Sequence, residues 1–251
     1  MWINDNYHPI INKKCVSLQP IMANDYFQFQ TFTVHQGQCA MKVGTDGTLL
    51  GAWAKGGETV LDIGTGTGLM ALMMAQRFPA SRVVGIDIDR KAVEQAKENV
   101  AASPFAGRVS IAEADVKAFD SAPFDAVVCN PPYFVDSLEC PDGQRTLARH
   151  ASALTYEGLM AAAQRLMADN GELSLVIPFD CRQRLEQAAA LAGFFKVREC
   201  AVKTTPRKQP RRYLLAFRKH LGDLELSEGI IEVQPGIRSS WYHELTKDFY
   251  L

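Results

Sequence analysis

The feature that most constrains the fold is a regular alternation of short apolar runs and helical stretches through the middle of the chain. The predicted strands are Glu58–Gly64, Ser81–Asp89, Gly107–Asp115, Phe124–Asn130 and Gly171–Pro178. The predicted helices are Leu69–Phe78, Arg90–Ala102, Leu154–Ala168 and Cys181–Gly193. Strands that alternate with helices form parallel β-α-β units. The sequence therefore predicts an α/β fold with a doubly wound, mainly parallel, seven-stranded sheet.

Two more apolar runs, Phe194–Thr204 and Arg211–His220, follow with no helix between them. Consecutive strands without a crossover helix pair antiparallel, so we expect an antiparallel hairpin at the edge of the sheet. The remaining segment predicts one further strand, Gly229–Val233, and a helix, Ser239–Phe249.

Residues 1–28 show no clean periodicity and are predicted as an N-terminal extension whose order the sequence leaves open. Residues 29–251 are predicted as a single domain, with the C-terminal strand and helix packed on it rather than forming a second domain.

Composition excludes several classes of function. The formal net charge is −1, so no general basic field attracts nucleic acid and any such affinity must come from a local patch. The longest nearly apolar run, Leu69–Ala75, is far shorter than a bilayer span. The six cysteines contain no C-x-x-C pair, so we expect reduced thiols, no metal site and a cytoplasmic chain without a membrane partner.

A glycine-rich loop separates the first strong strand from its helix. Gly64, Gly66 and Gly68 follow Asp62 at a spacing of G-x-G-x-G rather than the G-x-G-x-x-G of dinucleotide-binding loops. Glycines allow positive φ angles and a close approach of ligand to backbone. The acidic Asp62 would repel a pyrophosphate, but it suits a ligand that carries an ammonium and a sulfonium.

Two carboxylates are expected to complete this ligand site. Asp87 ends the second strand, where a carboxylate can accept both hydroxyls of a ribose. Asp89 competes for that role but is better placed as the N-cap of the following helix. Asp115 ends the third predicted strand and can accept a hydrogen bond from an adenine amino group.

The tetrapeptide Asn130-Pro131-Pro132-Tyr133 follows the fourth strand and predicts the reacting end of the site. The two prolines make a rigid turn and remove two N–H donors. The Asn130 side-chain oxygen and the Pro131 carbonyl can then accept both hydrogens of a planar amine, whose delocalised lone pair makes it a poor nucleophile. Tyr133 can stack on the plane of a base.

The loop and its acids, over roughly Lys42 to Lys219, resemble the class I S-adenosylmethionine-dependent methyltransferases. The resemblance implies a Rossmann-like fold and S-adenosyl-L-methionine as cofactor. The NPPY turn resembles the motif of amino-methyltransferases, which include adenine-N6 enzymes of DNA and RNA and glutamine-N5 enzymes of peptide release factors. The motif alone does not choose among these substrates.

A local basic patch favours RNA. The stretch from Lys203 to Arg212 holds five cations and no acid, and it joins the last two strands of the predicted hairpin. Arg145, Arg149 and His150 add charge after the NPPY turn. Cations at the carboxyl edge of the sheet could bind phosphates of a folded RNA. The candidate RNA-binding residues are Arg145, Arg149, Lys203, Arg207, Lys208, Arg211 and Arg212.

The segment Cys39–Trp53, the NPPY turn and the tail Leu245–Leu251 closely resemble a bacterial family that methylates N6 of adenine 37 in tRNA1(Val). This resemblance implies the anticodon loop as partner, with no obligate protein partner. It also places Thr45 and Asp46 beside the methionine end of the cofactor. Alternatives remain open: a glutamine-N5 protein methyltransferase, another RNA or DNA adenine-N6 methyltransferase, or a non-catalytic RNA-binding protein, which would have no need of an amine clamp.

Overall fold

The computed structural model describes residues 25–39, 41–131 and 154–251, and within them it contains twelve strands and six α-helices. The first six strands are β1 (Tyr26–Gln28), β2 (Thr33–His35), β3 (Thr59–Ile63), β4 (Arg82–Asp87), β5 (Val109–Glu113) and β6 (Phe124–Cys129). The others are β7 (Met167–Pro178), β8 (Phe195–Lys203), β9 (Arg212–Arg218), β10 (Glu225–Ile230), β11 (Glu232–Gln234) and β12 (Ile237–Arg238). The helices are α1 (Thr45–Trp53), α2 (Leu69–Arg77), α3 (Arg90–Ala101), α4 (Tyr156–Leu166), α5 (Arg182–Leu191) and α6 (Ser240–Thr246).

The central sheet has eight strands in the order β10-β8-β9-β7-β6-β3-β4-β5. Strands β7, β6, β3, β4 and β5 pair parallel, and β9 runs antiparallel to both of its neighbours. The predicted doubly wound, mainly parallel fold is confirmed, with one strand more than the seven expected.

The hairpin of β8 and β9 is antiparallel as predicted, but the prediction that it forms the edge of the sheet was wrong. Strand β10 pairs parallel with β8 along six residues, Glu225–Ile230 opposite Arg198–Lys203, and forms the outer edge. The backbone N–H and C=O groups of β8 would otherwise face solvent unpaired. Because four of the six residues of β10 are exposed, the apolar alternation that reveals other strands is missing there.

Strand β3 shows how the sheet divides the core into two layers. Val60 packs with helices α1, α2 and α6 on one face, while Leu61 and Ile63 pack with α4 and α5 on the other. Successive side chains of a strand point to opposite faces, so one apolar strand supplies both layers.

The first hairpin, β1 and β2, packs against the end of the chain. Gln30 N–H donates to the carbonyl of Phe249 at 2.9 Å, and the Phe29 and Tyr250 rings stack with centroids 5.9 Å apart. The described part of the chain thus joins the domain at β1, just before the predicted domain boundary at Phe29. Residues 1–24 of the predicted extension lie outside the described residues.

No helix within the described ranges combines the length and the apolar character that a membrane crossing requires.

Candidate functional site

A cavity of about 820 Å³ opens at the carboxyl ends of the parallel strands. Its volume falls in the range typical of sites that enclose a cofactor-sized molecule. The cavity wall brings together most of the residues that the sequence singled out: Thr45, Asp46, Gly64, Gly66, Asp87, Asp115, Asn130 and Arg212.

The glycine loop has the conformation that its sequence predicts. Gly64, Gly66 and Gly68 have φ angles of 70°, 55° and 81°, in the left-handed region that favours glycine. The Gly64 and Thr65 amides both donate to the carbonyl of Ile86 at 2.9 Å, which ties the loop to strand β4. At Gly64 and Gly66 the loop therefore presents backbone without a side chain to the cavity, beside Thr65 and Thr67, which also line it.

Asp62 lies beneath the loop rather than on the cavity wall. Its Oδ2 accepts hydrogen bonds from Thr65 Oγ1 at 2.7 Å and from Ala71 N–H at 3.1 Å. Ala71 is the third residue of α2, whose N-cap Gly68 has no side chain to offer, so Asp62 takes the place of a capping residue. Its contact with a ligand stays a prediction.

Complete burial raises the pKa of Asp62 to about 7, even though the bonds from Thr65 and Ala71 act in the opposite direction. The nearby charge of Asp87 adds to the rise. A positive charge in the cavity would favour the ionised form of this carboxyl.

Asp87 ends β4 as the sequence predicts, whereas Asp115 lies two residues beyond the end of the neighbouring strand β5. Asp87 Oδ2 accepts from Gly66 N–H at 2.9 Å, and its Oδ1 accepts from Asp89 N–H at 2.9 Å. Asp115 Oδ1 accepts from the backbone N–H of Lys117 at 2.9 Å. These bonds fix both carboxylates, whose oxygens retain further lone pairs for a ligand.

Asp89 is the N-cap of α3, as the sequence predicts: its side chain accepts a hydrogen bond from Lys91 N–H at 2.9 Å. Both carboxylates line the cavity, but Asp87 is the one that also contacts the glycine loop, whereas Asp89 begins the helix.

Asn99 joins helix α3 to the end of β2 and to the glycine loop, and the sequence analysis missed it. Fully buried on α3, it accepts from His35 N–H at 2.8 Å and donates to the carbonyls of His35 at 2.8 Å and Thr67 at 2.9 Å. A signal for it exists: Gln95 and Asn99 are polar residues within the apolar stripe of an amphipathic helix.

Asn130 follows directly on β6 and lines the cavity on the same side as the glycine loop. Strands β6 and β3 pair parallel, with Cys129 opposite Ile63, so Asn130 stands next to the residue that begins the loop. Pro131 is buried. Pro132 and Tyr133, the other half of the NPPY turn, lie outside the described residues, and so do Arg145, Arg149 and His150.

Helix α1 brings Thr45 and Asp46 to the cavity. Gln36, from the segment after β2, accepts a hydrogen bond from Val43 N–H at 2.7 Å and so holds the approach to the helix. Asp46, in the first turn, forms an ion pair with Arg212 at 2.9 Å between Oδ1 and Nε.

The five cations predicted to bind RNA, from Lys203 to Arg212, have different surroundings. Lys203 pairs with Glu228 on β10 at 2.6 Å, and Arg212 turns into the cavity towards Asp46. Arg207, Lys208 and Arg211 are exposed. Of these five cations, two therefore form ion pairs with acidic side chains of the protein and three face solvent.

Two thiols, Cys39 and Cys129, line the cavity without being charged. Burial raises the pKa of Cys39 to about 11, and the carboxylates of Asp87 and Asp89 reinforce the shift. Burial likewise raises the pKa of Cys129 well above its usual value. Neither thiol is a thiolate near neutral pH, so neither serves as a nucleophile there.

The chain is similar to proteins of known family over almost its whole length. A protein of Bacteroides thetaiotaomicron named tRNA1(Val) (adenine(37)-N6)-methyltransferase is 47% identical, with 92% of this chain and 99% of the relative aligned. The chain belongs to this methyltransferase family. A protein of the same name from Aeromonas hydrophila is 43% identical over 91% of this chain and 98% of its own. Residues 48–206 match the family model described as the methyltransferase small domain.

Solved structures support the fold. A predicted O-methyltransferase from Agrobacterium tumefaciens superimposes with a TM-score of 0.64, covering 81% of this chain and 96% of the other. At 20% sequence identity this likeness establishes the shared fold and nothing finer.

Proposed function

We propose that this chain transfers a methyl group from S-adenosyl-L-methionine to N6 of adenine 37 in tRNA1(Val). The observation that carries the proposal is the placement of Asn130 in the same cavity as the glycine loop and Asp87. The names of relatives aligned over more than nine-tenths of the chain support the tRNA substrate.

The cavity fits the cofactor by its chemistry. Its exposed loop backbone permits close approach of the ligand, Asp87 offers acceptors for the two ribose hydroxyls, and Asp115 offers one for the adenine amino group. When bound, S-adenosylmethionine supplies an electrophilic methyl group carried on a sulfonium. Thr45 and Asp46 face its methionine end, and Asp62 adds negative charge beneath the loop.

Asn130 and Pro131 act on the acceptor amine. The Asn130 oxygen and the Pro131 carbonyl accept the two N6 hydrogens, and so direct the nitrogen lone pair towards the methyl carbon. Holding the two reactants in line supplies much of the rate enhancement. We propose that Pro132 keeps this turn rigid and that Tyr133 stacks on the adenine, which has been unstacked from the anticodon loop.

The exposed cations Arg207, Lys208 and Arg211 form the proposed tRNA surface. They lie in the loop that follows β8. Strands β7 and β8 both pair antiparallel with β9, so they run in the same direction. This loop therefore stands at the same edge of the sheet as Asn130. Phe179, which directly follows β7, is 53% exposed, and its N–H donates to the carbonyl of Arg211 at 3.0 Å.

An exposed aromatic ring beside three cations suits a single-stranded RNA loop, in which bases stack on the ring and phosphates meet the charges. We assign this surface to the anticodon loop, with Arg145 and Arg149 as further proposed contacts. We further propose that residues 29–251 act as one domain and that the chain works where tRNA is found, in the cytoplasm.

The test is tritiated-methyl transfer to unmodified tRNA1(Val) transcripts, with a transcript in which adenine 37 is replaced by guanosine as the substrate control. Asn130→Ala should lower turnover by roughly 10²–10⁴-fold while leaving cofactor affinity nearly unchanged. Asn130→Asp keeps acceptor oxygens at that point and should retain part of the activity. Near-normal turnover by Asn130→Ala, or equal labelling of the guanosine transcript, would contradict the proposal.

A further inference from the structure

The ion pair between Asp46 and Arg212 stands in the wall of the cavity rather than on the protein surface. Arg212 Nε lies 2.9 Å from Asp46 Oδ1, and the two side chains are only 21% and 25% exposed. Both residues line the same cavity as the glycine loop and Asn130. An ion pair shielded in this way is stronger than one in open solvent.

We propose that this pair receives the α-amino-acid end of S-adenosylmethionine, with Arg212 binding the carboxylate and Asp46 the ammonium. The inference rests on the proposed cofactor. That end of the ligand is a zwitterion, and the pair offers one partner of each sign side by side. The planar guanidinium can bind a carboxylate through two parallel hydrogen bonds.

Arg212 is the cation best placed for this role. The cations that line the cavity among the described residues are Lys42, Lys117 and Arg212. Lys42 is exposed. Lys117 follows β5, whereas Arg212 begins β9, and four strands separate these two in the sheet. Arg212 therefore stands at the end of the cavity opposite Asp115 and the adenine.

The pair also explains how the acidic side chain of Asp46 can line a site that binds the carboxylate of the ligand. Without Arg212, Asp46 would repel the ligand carboxylate, whereas with it the local charge is balanced. Binding exchanges one ion pair within the protein for two between protein and ligand, and leaves neither Asp46 nor Arg212 unpaired.

The experiment uses the full chain and compares three ligands by isothermal calorimetry. S-adenosylhomocysteine carries both charged groups, decarboxylated S-adenosylhomocysteine keeps only the ammonium, and 5′-methylthioadenosine has neither. Arg212→Gln should weaken S-adenosylhomocysteine by at least about tenfold and leave the other two within about twofold. Asp46→Asn should weaken S-adenosylhomocysteine and the decarboxylated ligand but not 5′-methylthioadenosine.

Arg90→Gln is the matched control, because Arg90 forms an exposed ion pair with Glu94 on α3 outside the cavity. This variant should leave all three affinities unchanged. Equal losses for S-adenosylhomocysteine and 5′-methylthioadenosine in Arg212→Gln would overturn the proposal, because they would report damage to the pocket as a whole. Unchanged cofactor affinity with a raised KM for tRNA would also overturn it and assign Arg212 to an RNA phosphate. Failure of the wild-type chain to bind S-adenosylhomocysteine would instead refute the proposed function.

Discussion

Replacing Asn99 by alanine should destabilise the protein more than a typical substitution on a helix does. The substitution removes three hydrogen bonds of 2.8–2.9 Å and leaves three backbone groups without a partner: the N–H and C=O of His35 and the C=O of Thr67. His35 is exposed, so water can reach its groups, whereas Thr67 is buried. With about 1 kcal/mol for each group of His35 and up to about 3 kcal/mol for Thr67, the expected loss is about 3–5 kcal/mol.

This loss is a large part of the roughly 5–15 kcal/mol that stabilises a typical domain. Urea denaturation followed by circular dichroism measures it, with Lys97→Ala, an exposed position on the same helix, as control. Because Thr67 lines the cavity, affinity for S-adenosylhomocysteine should fall as well. An Asn99→Ala variant within about 1 kcal/mol of the wild type would refute the reasoning.

Three further predictions concern the site and its surroundings. Gly68→Ala should lower the free energy of unfolding by about 1–3 kcal/mol in urea denaturation, because φ is 81° and the new Cβ would lie 3.3 Å from that of Ala96. An unchanged midpoint of the urea transition would contradict this prediction. Asp62 has its pKa raised to about 7 in the folded chain, so its contribution to stability is lost as the pH rises from about 4 to 7. Thermal unfolding should show this decline in the wild type relative to Asp62→Asn, and parallel pH profiles would refute it. Phe179→Ala should raise the KM for tRNA about 5–150-fold without changing cofactor affinity, since a stacked base contributes about 1–3 kcal/mol. Leu191→Ala, at a position that is also exposed, is the control, and equal effects in both variants would exclude stacking.

The parallel strands and their helices could be predicted because local sequence determines them. Strand β4 is an apolar run, Asp89 caps the helix that follows, and glycines mark the loop where φ is positive. Each of these signals spans fewer than about ten residues.

Other features depend on contacts that are distant in sequence and gave no local signal. Strand β1 has three residues and is fixed by Tyr250 and the end of the chain. Composition groups Arg212 with the neighbouring Arg211 as basic residues, yet Arg212 lines the cavity while Arg211 faces solvent. Asp62 has the expected spacing from the glycines, but which face of β3 it occupies, and hence its capping of α2, depends on the register of the strand.

The seam between the first hairpin and the last helix has a consequence for biosynthesis. Gln30 and Tyr250 are hydrogen-bonded although 220 positions separate them. At roughly 5–20 residues per second, a ribosome needs about 10–45 s to make that interval. Throughout this time the aromatic side chains of the hairpin lack the C-terminal residues that pack against them. The nascent chain therefore exposes an apolar surface to which a chaperone could bind.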